Sequence, residues 1–260
     1  MKKLIYTIIL GALCALPSPR ETAGSILLLA GNGPNGGGSD NPGTTGLVAW
    51  YALDDASSPT TWTDEVGSFD LTKGGTVSSN TAQAKLTGCA DFNGTDGVLY
   101  NGSFSNTFHQ SDFTVGAWVR LDAAVDRSLI GQYGAGDARH WTLYYNGGAE
   151  SYFELVMRNG AGTRIAARSA TFSTTAEWIF VVATRSGDTL QMYLDGVASG
   201  TTDTFTGTEI SQSQRLELGQ ITTSFFDGKL DEVFIYTKAL TAAEISWLYN
   251  SDNGRRHSDL

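Results

Sequence analysis

From about residue 46 onward, apolar and polar positions alternate in short runs. Clusters of Gly, Asn, Asp and Ser separate these runs about every ten residues. In "FTVGAWVRL", Phe113, Val115, Ala117, Val119 and Leu121 fall on one face, with Thr114, Gly116, Trp118 and Arg120 on the other. In "TLQMYLDG", Leu190, Met192 and Leu194 oppose Gln191 and Tyr193. "EWIFVVAT", "YFELVMRNG", "RLELGQ" and "KLDEVFIYT" read as further strands, and Asp195-Gly196 and Asn159-Gly160 as hairpin turns. One helix is predicted near the end. Thr241 and Glu244 have the spacing of a capping box, and Ile245, Leu248 and Tyr249 form a short apolar stripe that Gly254 follows. The pattern predicts an all-β, two-sheet antiparallel jelly-roll sandwich with one short C-terminal helix.

The first 45 residues have a different pattern. Lys2 and Lys3 precede an apolar run from Leu4 to Leu16, too short to span a bilayer but suited to a signal peptide. Residues 1–24 are read as that leader, with cleavage near Ala12-Leu13-Cys14 or Thr22-Ala23-Gly24. Leu29-Ala30-Gly31 resembles the residues before a lipidated cysteine, but Asn32 stands where the cysteine would be and cannot form a thioether. Residues 25–45 are read as a Gly-rich linker, since residues 31–45 hold no aliphatic or aromatic side chain. The expected folded domain is 46–260, in a secreted or surface-displayed protein.

Composition removes several function classes. The formal charge is −10, and loss of residues 1–24 removes three cations and one anion, which makes the remainder more acidic. No basic stripe is present to meet nucleic acid or an anionic membrane. Cys14 and Cys89 are too few for a disulfide scaffold or a thiolate zinc site, and Cys89 reads as a buried lone thiol. His109, His140 and His257 show no ligand spacing. In "LDEV", strict alternation would put Asp231 and Glu232 on opposite faces. Asn93 and Asn101 begin glycosylation sequons by pattern alone.

Six segments in order resemble the bacterial laminin G-like family of the concanavalin A-like lectin/glucanase superfamily. They are "GLVAWYALDDASS", "WTDEVGSFDLT", "ADFNGTDGVLY", "SDFTVGAWVRL", "EWIFVVATRSGDTLQMYLDG" and "FDGKLDEVFIYTKALTAAEISWLYN". The resemblance implies a jelly roll that serves as a lectin, an adhesion module or a polysaccharide-cleaving enzyme. The Glu-x-Asp-x-Glu string of the laminarinase-type enzymes is missing. A Tyr/His lyase site is conceivable, and His140 and Tyr144 lie four apart on one strand face. The expected function is therefore non-catalytic recognition of an extracellular glycan or surface protein. A structural subunit of an extracellular assembly, with self-association, is the alternative, and a glycan-cleaving enzyme ranks below both.

The resemblance also implies a structural Ca²⁺ held by Asp54, Asp55, Asp64, the Gly94 carbonyl and Asp231, with Asp231 the best single ligand. Trp50, Trp118 and Trp178 match family positions and are expected to be scaffold. Trp62 and Trp141 do not match and are expected to be sugar-stacking platforms, with Arg120, Arg158, Gln191 and Tyr193 as polar contacts.

Overall fold

The computed structural model describes residues 40–55, 59–105, 107–133, 139–210, 214–221 and 223–260. The chain divides into residues 1–38 and a body of residues 39–260. The expected leader and most of the expected linker lie outside the described residues.

The body is a two-layer antiparallel sandwich. The back sheet runs in the order Val77–Asn80, Cys89–Asn93, Asp227–Tyr236, Phe113–Leu121, Trp178–Ser186, Thr189–Leu194, Val197–Thr204. Leu47–Tyr51 adds to it by pairing with the distal half of Asp227–Tyr236. The front sheet runs Thr61–Trp62, Leu71–Gly74, Val98–Asn101, Leu216–Leu218, Arg127–Tyr133, Arg139–Asn146, Tyr152–Arg158, Arg164–Thr171. The two sheets join where Arg168 pairs with Thr201.

The alternation predicts which side chains meet between the sheets. Phe113, Val115, Ala117, Val119 and Leu121 from the back sheet pack against Trp141, Leu143, Tyr145, Phe153, Leu155 and Met157 from the front. Aromatic edges tighten this layer: Phe108 lies 5.1 Å from both Phe113 and Trp141, ring centre to ring centre.

A second apolar layer covers the outer face of the back sheet. Trp50, Trp118, Phe180, Phe234 and Tyr236 pack there under Leu240, Ile245 and Leu248. The helix Ala242–Tyr249 supplies the cover, and its predicted capping box is complete. The Glu244 amide donates to Thr241 Oγ1, and the Thr241 amide donates to a Glu244 carboxylate oxygen. Gly116 is required beneath it, because a Cβ there would stand 2.4 Å from the Phe234 ring. Asp195 and Gly196 both take positive φ, the backbone of a tight hairpin turn. Cys89 is buried, and burial pushes its thiol up to about 12.

The packed body starts before Gly46. Lys238 Nζ donates to the Pro42 carbonyl at 2.8 Å, the Tyr236 hydroxyl to Gly43 at 3.0 Å, and Asn41 Nδ2 to the Asp259 carbonyl at 3.2 Å. Residues 41–43 are thus bonded to the fold rather than part of a free tether. Among the described residues, no helix is long and apolar enough to cross a membrane.

Candidate functional site

The outer face of the front sheet is not covered by the C-terminal helix and carries the polar halves of three neighbouring strands. Because Trp141, Leu143 and Tyr145 point into the core, Thr142, Tyr144 and Asn146 point out. Likewise Glu154, Val156 and Arg158 point out of Tyr152–Arg158, and Arg164, Ala166 and Arg168 out of the next strand. The register sets Glu154 between Tyr144 and Arg168, Val156 between Thr142 and Ala166, and Arg158 opposite Arg164. Thr142, Tyr144, Asn146, Glu154, Val156 and Arg164 line a hollow of about 170 Å³.

The charge in this hollow is unbalanced. Glu154 is 1% exposed and forms ion pairs with Arg164 and, at 3.6 Å, with Arg168. Arg168 also lies over the Tyr152 ring, 5.0 Å from its centre. Arg158 donates from Nη1 to the Gly162 carbonyl. Two guanidinium groups therefore share one carboxylate, with Arg158 farther along the same face, and the side chains of Arg164 and Arg168 keep a third to a half of their surface in water.

The expected binding residues do not form one site. Trp62 and Trp141 are both 0% exposed and belong to the core, so neither can stack on a sugar. Their strand positions put them on the inner face, and Trp141 is further fixed by donating to Gln132 Oε1 at 3.0 Å. Arg158 lies on the front face. Arg120, Gln191 and Tyr193 lie on the outer face of the back sheet, where Arg120 stands 3.6 Å from Asp122. Gln191 and Tyr193 line a separate hollow of about 330 Å³ with Thr184, Ser186 and Thr241. Two faces on opposite sides of a sandwich cannot grip one small ligand. Trp50 and Trp118 are buried scaffold, as expected, and the half-buried Trp178 donates to the Gln83 carbonyl.

Of the residues expected to hold calcium, Asp54 lies near enough to Asp231 for its charge to help raise that carboxyl, while the others are engaged or placed elsewhere. The Asp64 carboxylate accepts four backbone amides, from Trp50, Val66, Ser68 and Phe69, so N–H donors already fill the positions a cation would need. Asp55 is taken up by Thr63. Gly94 sits against Asp227, four residues from Asp231 on the same strand, which is about 13 Å. Among the described residues, no group of three or more His, Cys, Asp or Glu side chains could hold a metal ion. Asp64, Asp55 and Gly94 do not converge with Asp231 on one point.

Asp231 and Glu232 also depart from strict alternation. Leu230 and Val233 both point into the core, so the two acids between them lie on the same outer side. A bulge with Glu232 at φ 47° makes this possible. Both acids are buried. Asp231 Oδ2 accepts the Lys85 and Leu86 amides while Oδ1 has no hydrogen-bond partner, and Glu232 accepts from Trp50 Nε1 at 2.5 Å. Burial pushes Asp231 up to about 7, and burial together with the Asp231 charge pushes Glu232 up to about 9.

The acids singled out above do not form an accessible hydrolytic pair. Glu154 and Glu217 both point out of the front sheet, but their strands are three positions apart, about 14 Å. A hydrolytic pair stands roughly 5–10 Å apart. Asp231 and Glu232 are close enough but are 0% and 3% exposed, out of reach of a polysaccharide. His140 is also 0% exposed, so it does not share an open face with Tyr144.

Comparison with known proteins is consistent with this architecture. A laminin G family model, described as concanavalin A-like lectin/glucanases superfamily, matches residues 92–246. No curated protein matches the sequence. Among solved structures, the binding domain of botulinum neurotoxin serotype D is similar at a TM-score of 0.62 and 14% identity, covering 79% of this chain and 51% of that one. A structure of botulinum neurotoxin type C, whose cell entry depends on interaction with two ganglioside molecules, is similar at 0.61 and 14%, covering 80% and 51%. A Trypanosoma rangeli sialidase is similar at 0.58 and 20%, covering 80% of this chain and 33% of that one. The chain spans about half of the toxin chains and a third of the sialidase, and at these identities the likeness is one of fold.

Proposed function

We propose a function on one premise: this chain belongs to the concanavalin A-like lectin/glucanases superfamily, through a laminin G-type domain. The domain is a non-catalytic module for recognition outside the cell, and its ligand is a glycan that carries acidic sugars. The front-sheet hollow is the binding site. Arg158, Arg164 and Arg168 supply the charge, Tyr144 an aromatic surface, and Thr142 and Asn146 hydrogen bonds.

One observation carries this reading. In a chain of net charge −10, two partly exposed arginines pair with a single buried carboxylate, and Arg158 lies on the same outer face opposite Arg164. Guanidinium groups pair with carboxylate or sulfate through two parallel hydrogen bonds. The separation of Glu154 from Glu217 supports binding without turnover.

A glycan array with neutral and acidic members tests the proposal. Retention of uronate-, sialate- or sulfate-bearing glycans is expected, with no release of reducing ends. Arg168→Gln should weaken retention about tenfold or more, the effect of one charge-assisted hydrogen bond. Binding to neutral glycans alone would remove the acidic specificity. No binding to any glycan, with self-association on size-exclusion chromatography, would favour the structural-subunit reading, for which the edge strand Val77–Asn80 offers a side that pairs with no other strand among the described residues.

A further inference from the structure

The sequence separates His109 and His140 by thirty-one positions, and the fold brings them together. His109 sits on the short 3-10 turn Phe108–Gln110, and His140 on the front-sheet strand Arg139–Asn146. Their ring centres are 4.8 Å apart, with the planes tilted by 35°. The two residues are 1% and 0% exposed. None of the four ring nitrogens makes a hydrogen bond of ordinary geometry, and the nearest polar approach is the Ile210 carbonyl to His109.

Buried polar atoms without good partners are costly, and at most one of these four ring nitrogens is relieved, by the Ile210 carbonyl. Such a cost calls for a ligand that uses them. The surroundings suit lone-pair donation. Burial disfavours the charged form of both imidazoles. The nearby cation, Arg185, donates to the His109 carbonyl and is balanced by Glu209 and Asp188. Phe108 and Trp141 close the apolar side.

We propose that His109 and His140 form a binding site for one divalent transition-metal ion of the zinc and copper class. Neutral imidazole is a preferred ligand of these ions, whereas Ca²⁺ and Mg²⁺ take oxygen. Metal–nitrogen bonds of about 2.0–2.1 Å, meeting at an angle between a right angle and the tetrahedral one, set the ring centres roughly 4–5 Å apart. The observed spacing lies in that range. Among the described residues no third His, Cys, Asp or Glu completes a cage. Water or a small ligand would fill the remaining positions, and because both imidazoles are buried the ion would exchange slowly.

The test uses the full chain, stripped with chelator and titrated with Zn²⁺, Cu²⁺ and Ca²⁺ by calorimetry. One equivalent of Zn²⁺ or Cu²⁺ is expected, with no uptake of Ca²⁺ at this site. Nitrogen-15 NMR of the unsubstituted chain should show Zn²⁺ shifting the ring nitrogens of His109 and His140 while those of His257 stay in place. His140→Gln, checked for folding by circular dichroism, should abolish uptake, and His257→Gln should retain it. Shifts at His257 alone, uptake unchanged by His140→Gln, or no uptake with ring nitrogens that report a bridging water would overturn the site.

Discussion

Asp231 and Glu232 show how far one residue's setting can depart from its place in the pattern. Strict alternation would separate them, and a single left-handed residue puts them side by side in an apolar layer. Their folded-state pKa values are raised above the ordinary carboxylate range. Their stabilising contribution is therefore complete below about pH 4 and is lost as pH rises, through about 7 for Asp231 and about 9 for Glu232. Asp231→Asn keeps an acceptor for the Lys85 and Leu86 amides without the buried charge. It should raise the thermal midpoint at pH 8 and change it little at pH 4. A midpoint that falls at pH 8, together with a chelator-sensitive midpoint in the parent chain, would restore a cation at Asp231.

Residue-level reading succeeded where alternation alone decides orientation, as for Phe113 to Leu121. It failed for Trp62 and Trp141 because a family mismatch says nothing about which face of a strand a side chain occupies. It could not place Arg120 and Arg158 on different sheets, since alternation distinguishes inside from outside but not one sheet from the other. The polar half of "YFELVMRNG" did carry a signal: Glu154, Val156 and Arg158 alternate against Phe153, Leu155 and Met157. Arg164 and Arg168 join them only once the register with the next strand is known.

At the scale of elements, local chemistry was most legible where it is self-contained. The Thr241 capping box and the Asp195-Gly196 turn form as their spacing predicts, because both are satisfied within a few residues. Thr241→Ala should cost about 1 kcal/mol, measured by denaturant unfolding. The loss should fall on the packing of Ile245 and Leu248 over the back sheet and leave the front-sheet hollow intact. Unfolding in which glycan retention disappears together with the helix signal would contradict that independence. The bulge at Glu232 had no such signature, since its cause is the need to place Leu230 and Val233 in one core.

At the scale of the whole molecule, the sandwich and its single helix were legible from strand pattern and segment order. The start of the body was not, because residues 41–43 contribute through backbone carbonyls and one amide side chain, which no hydropathy pattern marks. A chain of residues 40–260 should therefore melt several degrees above one of residues 46–260, with both folded by circular dichroism. Equal midpoints would mean that the contacts of residues 41–43 add nothing.

The same contacts make the body nearly a closed loop. Asn41 reaches the carbonyls of Asp259 and Leu260, so the two ends of the described chain meet behind the back sheet. A short peptide bridge could join them, with new ends opened in the Gly187 or Gly162 turn and no strand pairing lost. Cargo fused at either end of the body would leave from one pole, on the side away from the arginine-lined hollow. Two such modules joined in series would then stand back to back, each with its front-sheet hollow turned outward.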